Sequence, residues 1–146
     1  MKHPKQLLTL FVFLSVLATS HLSAADGEQK LFVNLTSDDM KRAAMAIGFS
    51  SKILAKKKIP VTLFLNVDAV RIADKRIPGS TYVTGKSLQA MPIEFMKLGG
   101  RVIICPMCLQ TVGGIAKDDL LEGVEIGGPD VTWPLLFAKG TTVLSY

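Results

Sequence analysis

The sequence predicts an α/β fold, a three-layer sandwich with a mostly parallel central sheet. Two observations carry that prediction. Short apolar runs of strand length alternate with stretches of helical periodicity along the chain, the order that builds strand–helix–strand units. Neither an internal repeat nor a linker-like tract divides the chain, and 146 residues suit one domain.

Each element follows from local pattern. Residues 31–35, Leu-Phe-Val-Asn-Leu, read as a short buried strand. Thr36-Ser37-Asp38-Asp39 then supplies helix-capping side chains. Over 40–58 the apolar positions Ala43, Ala44, Ile47, Ile53 and Leu54 recur at helical spacing. Lys56-Lys57-Lys58 lies at the end of that helix, where positive charge suits the dipole. A second strand is expected over 61–65 and a polar, irregular stretch over 68–85. Residues 86–98 read as a helix with Leu88, Met91, Phe95 and Leu98 on one face, stopped by Gly99-Gly100 and kinked or weakened by Pro92. A third strand, 101–104, runs straight into Cys105-Pro106-Met107-Cys108, and a helical turn or two should reach Gly113-Gly114. A short extended segment over 124–126, a helix over 132–138 with Pro134 in its first turn, and a last strand over 142–146 complete the pattern.

The first 25 residues have the form of an export signal. Lys2 and Lys5 are followed by the apolar run 7–18, and Ser23 and Ala25 occupy the −3 and −1 positions of a cleavage site. That run is shorter than the ~20 residues of a spanning helix, so a stable membrane anchor is not expected. The domain is then 26–146, enough for a core without disulfide staples, and its destination is periplasmic or secreted, an oxidising space. Loss of two lysines and no acid, from 17 basic and 12 acidic residues, leaves a net charge of +3. So mild a charge, without a basic stripe or reading motif, argues against nucleic acid as a partner.

Both histidines, His3 and His21, leave with the leader. Histidine-dependent nucleophilic catalysis and imidazole-based zinc are therefore excluded, and two cysteines cannot make a four-thiolate zinc site. Neither a cofactor nor a metal is called for by the rest of the sequence.

Attention falls on Cys105 and Cys108. In open parallel sheets the functional crevice lies beyond the carboxyl ends of the strands, and Cys105 stands at such an end. Pro106 suits the first position of a helix, which makes Cys105 the N-cap. Free N–H groups and the positive end of the dipole should favour its thiolate, lowering its pKa by one to several units from ~8.5. Cys108 returns to the same side one turn later, within disulfide reach. The pair reads in three ways: a persulfide carrier on Cys105, a dithiol–disulfide couple, or a structural disulfide or pair of buried thiols.

The segment 99–115, Gly-Gly-Arg-Val-Ile-Ile-Cys-Pro-Met-Cys-Leu-Gln-Thr-Val-Gly-Gly-Ile, resembles the cysteine region of the DsrE/DsrF-like family. Thr36-Ser37-Asp38-Asp39, the Ala-rich helix behind it, Asn66-Val67-Asp68-Ala69-Val70 and the closing Thr141-Thr142-Val143-Leu144-Ser145-Tyr146 extend the likeness from Leu31 to Tyr146. The resemblance implies a parallel-sheet α/β fold, assembly into homotrimers or hexamers, and sulfur relay with a donor or acceptor protein by way of a cysteine persulfide. In sulfur-transfer members the carrier cysteine ends a strand eight residues before a glycine; here Cys105 stands eight before Gly113, with Cys108 as the resolving or auxiliary thiol. Val112 stands where relatives often have arginine. Beside the carrier, a thiol–disulfide oxidoreductase and a non-catalytic ligand- or subunit-binding module remain as alternatives.

Other motifs carry less. Residues 80–87 nearly spell a phosphate loop, but serine opens it and Gly79 comes one place early. Arg71, Lys75 and Arg76 read as a solvated loop, Asp38-Asp39 as a cap, and Asp118-Asp119 as the start of a turn. Met40, Met45, Met91 and Met96 are expected on core faces, whereas Met107, between the two thiols, could complete a copper(I) set. Trp133 fits either the core or the wall of the thiol crevice.

Overall fold

The computed structural model describes residues 28–79, 81–82 and 85–146. Residues 1–25, expected to be an export signal, lie outside the described residues, and so does part of the 80–87 near-match. Among the described residues five strands form one sheet: β1 (Lys30–Leu35), β2 (Val61–Leu65), β3 (Arg101–Ile104), β4 (Glu125–Ile126) and β5 (Thr141–Ser145). Their spatial order is β4-β3-β2-β1-β5, and every pairing is parallel. The chain steps outward from β1 to β4, then returns to the far edge to add β5 beside β1.

Strand alternation sorts the side chains into two faces. Leu31, Val33 and Leu35 stand in register with Val61, Leu63 and Leu65, and with Val102 and Ile104 they join one buried cluster. Helix α1 (Met40–Lys57) lays Ala43, Ala46 and Ile47 on that cluster. Asp39 caps α1 by accepting the Arg42 N–H at 3.0 Å, as the capping residues predict. Lys56 and Lys57 occupy its last turn, and Lys58 ends it in the left-handed region at φ 57°. On the opposite face the Phe32 and Phe64 rings lie 5.8 Å apart, and Ile103 is fully buried. Gly127 packs there against Ile103, in the chain that leads to α4 (Pro129–Leu136).

Four local expectations are corrected. The stretch 68–85 is not wholly irregular: Val67–Ala73 forms a 3₁₀ segment that buries Ala69, Val70, Ile72 and Ala73. The second helix, α2 (Ala90–Lys97), starts four residues late, with the Ser87 hydroxyl accepting the Ala90 N–H at 3.1 Å. Pro92 is therefore the third helical residue, where a missing N–H costs nothing. Helix α4 begins at Pro129 rather than 132, so Pro134 lies in its interior and not in its first turn. Met45 is exposed rather than core, whereas Met91 and Met96 pack against the buried cluster.

Gly100, the residue before β3, lies against the buried ring of Phe95, and an added Cβ would lie 2.2 Å from Phe95 Cζ. Phe95 is fully enclosed and has nowhere to move. Gly100→Ala is expected to cost about 1–3 kcal/mol through overpacking. A urea titration checks it; an unchanged midpoint would refute the packing argument.

Candidate functional site

Because the strands are parallel, the segments that follow β1, β2, β3 and β4 gather at one rim. Cys105 sits on that rim. Its N–H donates to Leu65 O at 2.9 Å, which carries the β2–β3 ladder one residue past the end of β3. On the other side, the Gly127 N–H donates to Ile104 O at 2.8 Å. The backbone around the cysteine is thus held by both neighbouring strands before it turns.

The turn is helix α3 (Pro106–Cys108), one turn long, with Cys105 as N-cap at φ −66°, ψ 118° and Pro106 in the first position. Cys105 Sγ accepts the Cys108 N–H at 3.5 Å, and Cys105 O accepts the Leu109 N–H at 2.9 Å. The chain then widens into a π-type turn, Leu109–Gly113, closed by Gly114 at φ 57°. The helical turn or two expected after Cys105 is therefore one α turn and one π turn. Both cysteines are half-buried free thiols. Met107, between them, is 68% exposed and points away from the core.

Cys108 faces inward, against the buried cluster. Burial pushes its thiol above the ordinary cysteine value; the Val67 N–H, hydrogen-bonded to the sulfur, pulls part of the way back, and the hydrogen bond and charge of Cys105 push it up again. Cys108 is accordingly a thiol whose charged form is disfavoured by its burial. Val67 makes that contact from φ 51°, a conformation costly for a β-branched residue. The 3₁₀ segment that it opens packs alongside the π turn.

A polar network ties the rim together. Asn66 Nδ2 donates to Asn34 Oδ1, and Asn34 Nδ2 donates to Ser145 Oγ at 3.5 Å. The Thr36 hydroxyl donates to Tyr146 O at 2.8 Å. These bonds join the ends of β1, β2 and β5.

The basic residues Arg71, Lys75 and Arg76 are solvent-exposed, as expected, and each also has a partner. Arg71 lies 3.4 Å from both Asp38 and Asp68. Lys75 donates to Asp118 O. Arg76 grips the buried Asp74 through Nε and a terminal nitrogen at 3.0 and 2.8 Å, and reaches Asp119 at 3.0 Å. Asp118 and Asp119 lie in the short 3₁₀ turn Lys117–Asp119, so these contacts clamp the chain after the π turn to the 3₁₀ segment. Trp133 is 58% exposed, which removes it from the core. Among the described residues no three His, Cys, Asp or Glu side chains gather as a metal site. Sequence reasoning missed the contribution of Val67, since nothing in a local pattern marks a valine that folds to positive φ.

A family model for the DsrE/DsrF-like family matches residues 29–135, most of the chain and all of the rim except the end of β5. The chain belongs to the DsrE/DsrF-like family. Two solved structures share its fold. The YchN protein of E. coli is 21% identical with a TM-score of 0.64, the match covering 81% of this chain and 99% of that one. A protein of unknown function, MTH1491 from Methanobacterium thermoautotrophicum, is 18% identical with the same TM-score and the same coverage. Among curated proteins none matches. In this DsrE/DsrF-like chain no helix among the described residues is long and apolar enough to cross a membrane.

The Asp74 clamp has a pH signature. Hydrogen bonds from the Arg76 side chain, opposed by burial, hold the Asp74 carboxyl below its usual range. A depressed folded pKa stabilises above the unfolded value near ~3.9, and the contribution is lost as pH falls through the folded value. Thermal melts from pH 7 to pH 2 should therefore show Asp74→Asn less stable than wild type at neutral pH, with the gap closing in acid. A constant gap would remove the clamp from the account.

Proposed function

We propose that this chain is an exported sulfur-handling protein that carries sulfur as a persulfide on Cys105, with Cys108 as the second thiol. One observation carries the reading. Cys105 Sγ stands half-exposed at the junction of β3 and α3, and the Cys108 N–H points at it. A sulfur in that position meets an incoming persulfide and has an amide to support negative charge on sulfur. The reaction balances without any cofactor. Cys105 thiolate attacks the outer sulfur of a donor persulfide, the donor S–S bond breaks, the donor leaves as its thiolate, and the outer sulfur stays on Cys105. An acceptor thiolate then takes that sulfur by the same displacement. Donor and acceptor are proteins, the location is periplasmic or secreted by virtue of the leader, and the carrier works as a homotrimer or hexamer. Such a carrier is not itself a turnover enzyme.

The i, i+3 spacing of the thiols favours one second reading, a thiol–disulfide oxidoreductase. It differs in what accumulates: a disulfide exchanged with a substrate disulfide, and no retained sulfur.

Reduced protein sampled immediately after exposure to a persulfide donor is expected to carry about 32 Da more, one sulfur, at Cys105. Intact mass and peptide mapping check it, and an equal adduct on Cys105→Ser would defeat the assignment. Sedimentation of the processed protein should give three or six chains; a monomer at micromolar concentration would withdraw the assembly.

A further inference from the structure

We infer that the CxxC pair gives this protein a second activity, the discharge of its carried sulfur as hydrosulfide, with Cys108 as the discharging thiol. The inference rests on the persulfide reading of Cys105 and goes beyond relay, in which the sulfur leaves only to an external acceptor.

Three observations converge on Cys108. It stands one helical turn from Cys105, with its own N–H 3.5 Å from Cys105 Sγ, so the two sulfurs share one small volume. It packs inward against the core and against Val67, so an external acceptor meets Cys105 before it meets Cys108. Burial raises the pKa of Cys108, which favours the protonated thiol, while the Val67 backbone amide acts in the opposite direction. A carrier that only passes sulfur outward has no use for a second thiol one turn from its persulfide.

The step balances. Cys108 Sγ attacks the inner sulfur of the Cys105 perthiolate, and the Cys108 proton passes to the outer sulfur. The S–S bond of the persulfide breaks, a Cys105–Cys108 disulfide forms, and the outer sulfur departs as HS⁻. That sulfur is reduced by two electrons, and the two cysteine sulfurs supply them. An external dithiol must then reopen the disulfide before the next cycle, so the reaction that follows belongs to the dithiol-reductant class.

The test loads reduced full-length protein with glutathione persulfide, removes the donor by rapid desalting, and follows free sulfide and intact mass with time. Wild type should release sulfide without added thiol and end about 2 Da below the reduced mass, with both cysteines closed to alkylation. Cys108→Ser should keep the ~32 Da adduct, discharging at least about 100-fold more slowly because the attack is no longer intramolecular. A wild type that holds its adduct as long as Cys108→Ser overturns the discharge while leaving the carrier intact. Absence of any adduct on both proteins, with no sulfide released by wild type, overturns the carrier reading and the discharge together. The wild-type mass and sulfide count decide the matter even if the variant folds poorly.

Discussion

Parallel pairing of the five strands is the constraint on which the site depends. When all strands run the same way, each carboxyl end delivers its chain to the same rim, and each following segment must turn there. The β2–β3 ladder continues one residue beyond β3 and ends on the Cys105 N–H. The last hydrogen bond of the sheet therefore fixes the backbone of the first residue of the site. A slip of one residue in β3 would exchange its two faces, exposing the buried Val102 and Ile104 and turning Cys105 away.

Above that rim the chain accepts local costs. Val67 takes a left-handed backbone that a β-branched residue avoids, and residues 109–113 widen into a π turn. Both departures from regular geometry touch Cys108. Strain of this kind persists only where surrounding structure outweighs it. Here the outweighing comes from the buried Ala69, Val70, Ile72 and Ala73 behind Val67, and from Leu109 and Ile115 on either side of the π turn. The ion-paired clamp of Asp74, Arg76 and Asp119 closes the far side.

The two thiols are chemically unequal because their surroundings differ, not their type. Cys105 stands at a strand end; Cys108 packs against the core, where burial raises its pKa. That inequality arises from three residues of spacing on a helix start. Family membership agrees with the fold, and the fold agrees with relatives that share only about a fifth of their residues with this chain. Packing of alternating apolar strands against an Ala-faced helix tolerates wide substitution so long as volume and pattern are kept.

The sequence by itself determined the elements whose signal is local. Alternating apolar runs marked β1, β2 and β3, helical spacing and the Asp39 cap marked α1, and Cys105-Pro106 marked a strand end meeting a helix start. Those signals act over one to four residues, the reach of a cap, a turn or a pleat. Only the tertiary structure decided that Arg71, Lys75 and Arg76 find partners, that Trp133 and Met45 lie outside the core, and that Val67 sits beside Cys108. The Cys108–Val67 contact spans 41 positions and is made by a backbone N–H, which every residue but proline carries and no side-chain pattern reveals. Long-range contacts of that kind are created by the sheet order, and the sheet order is settled by packing the whole chain at once.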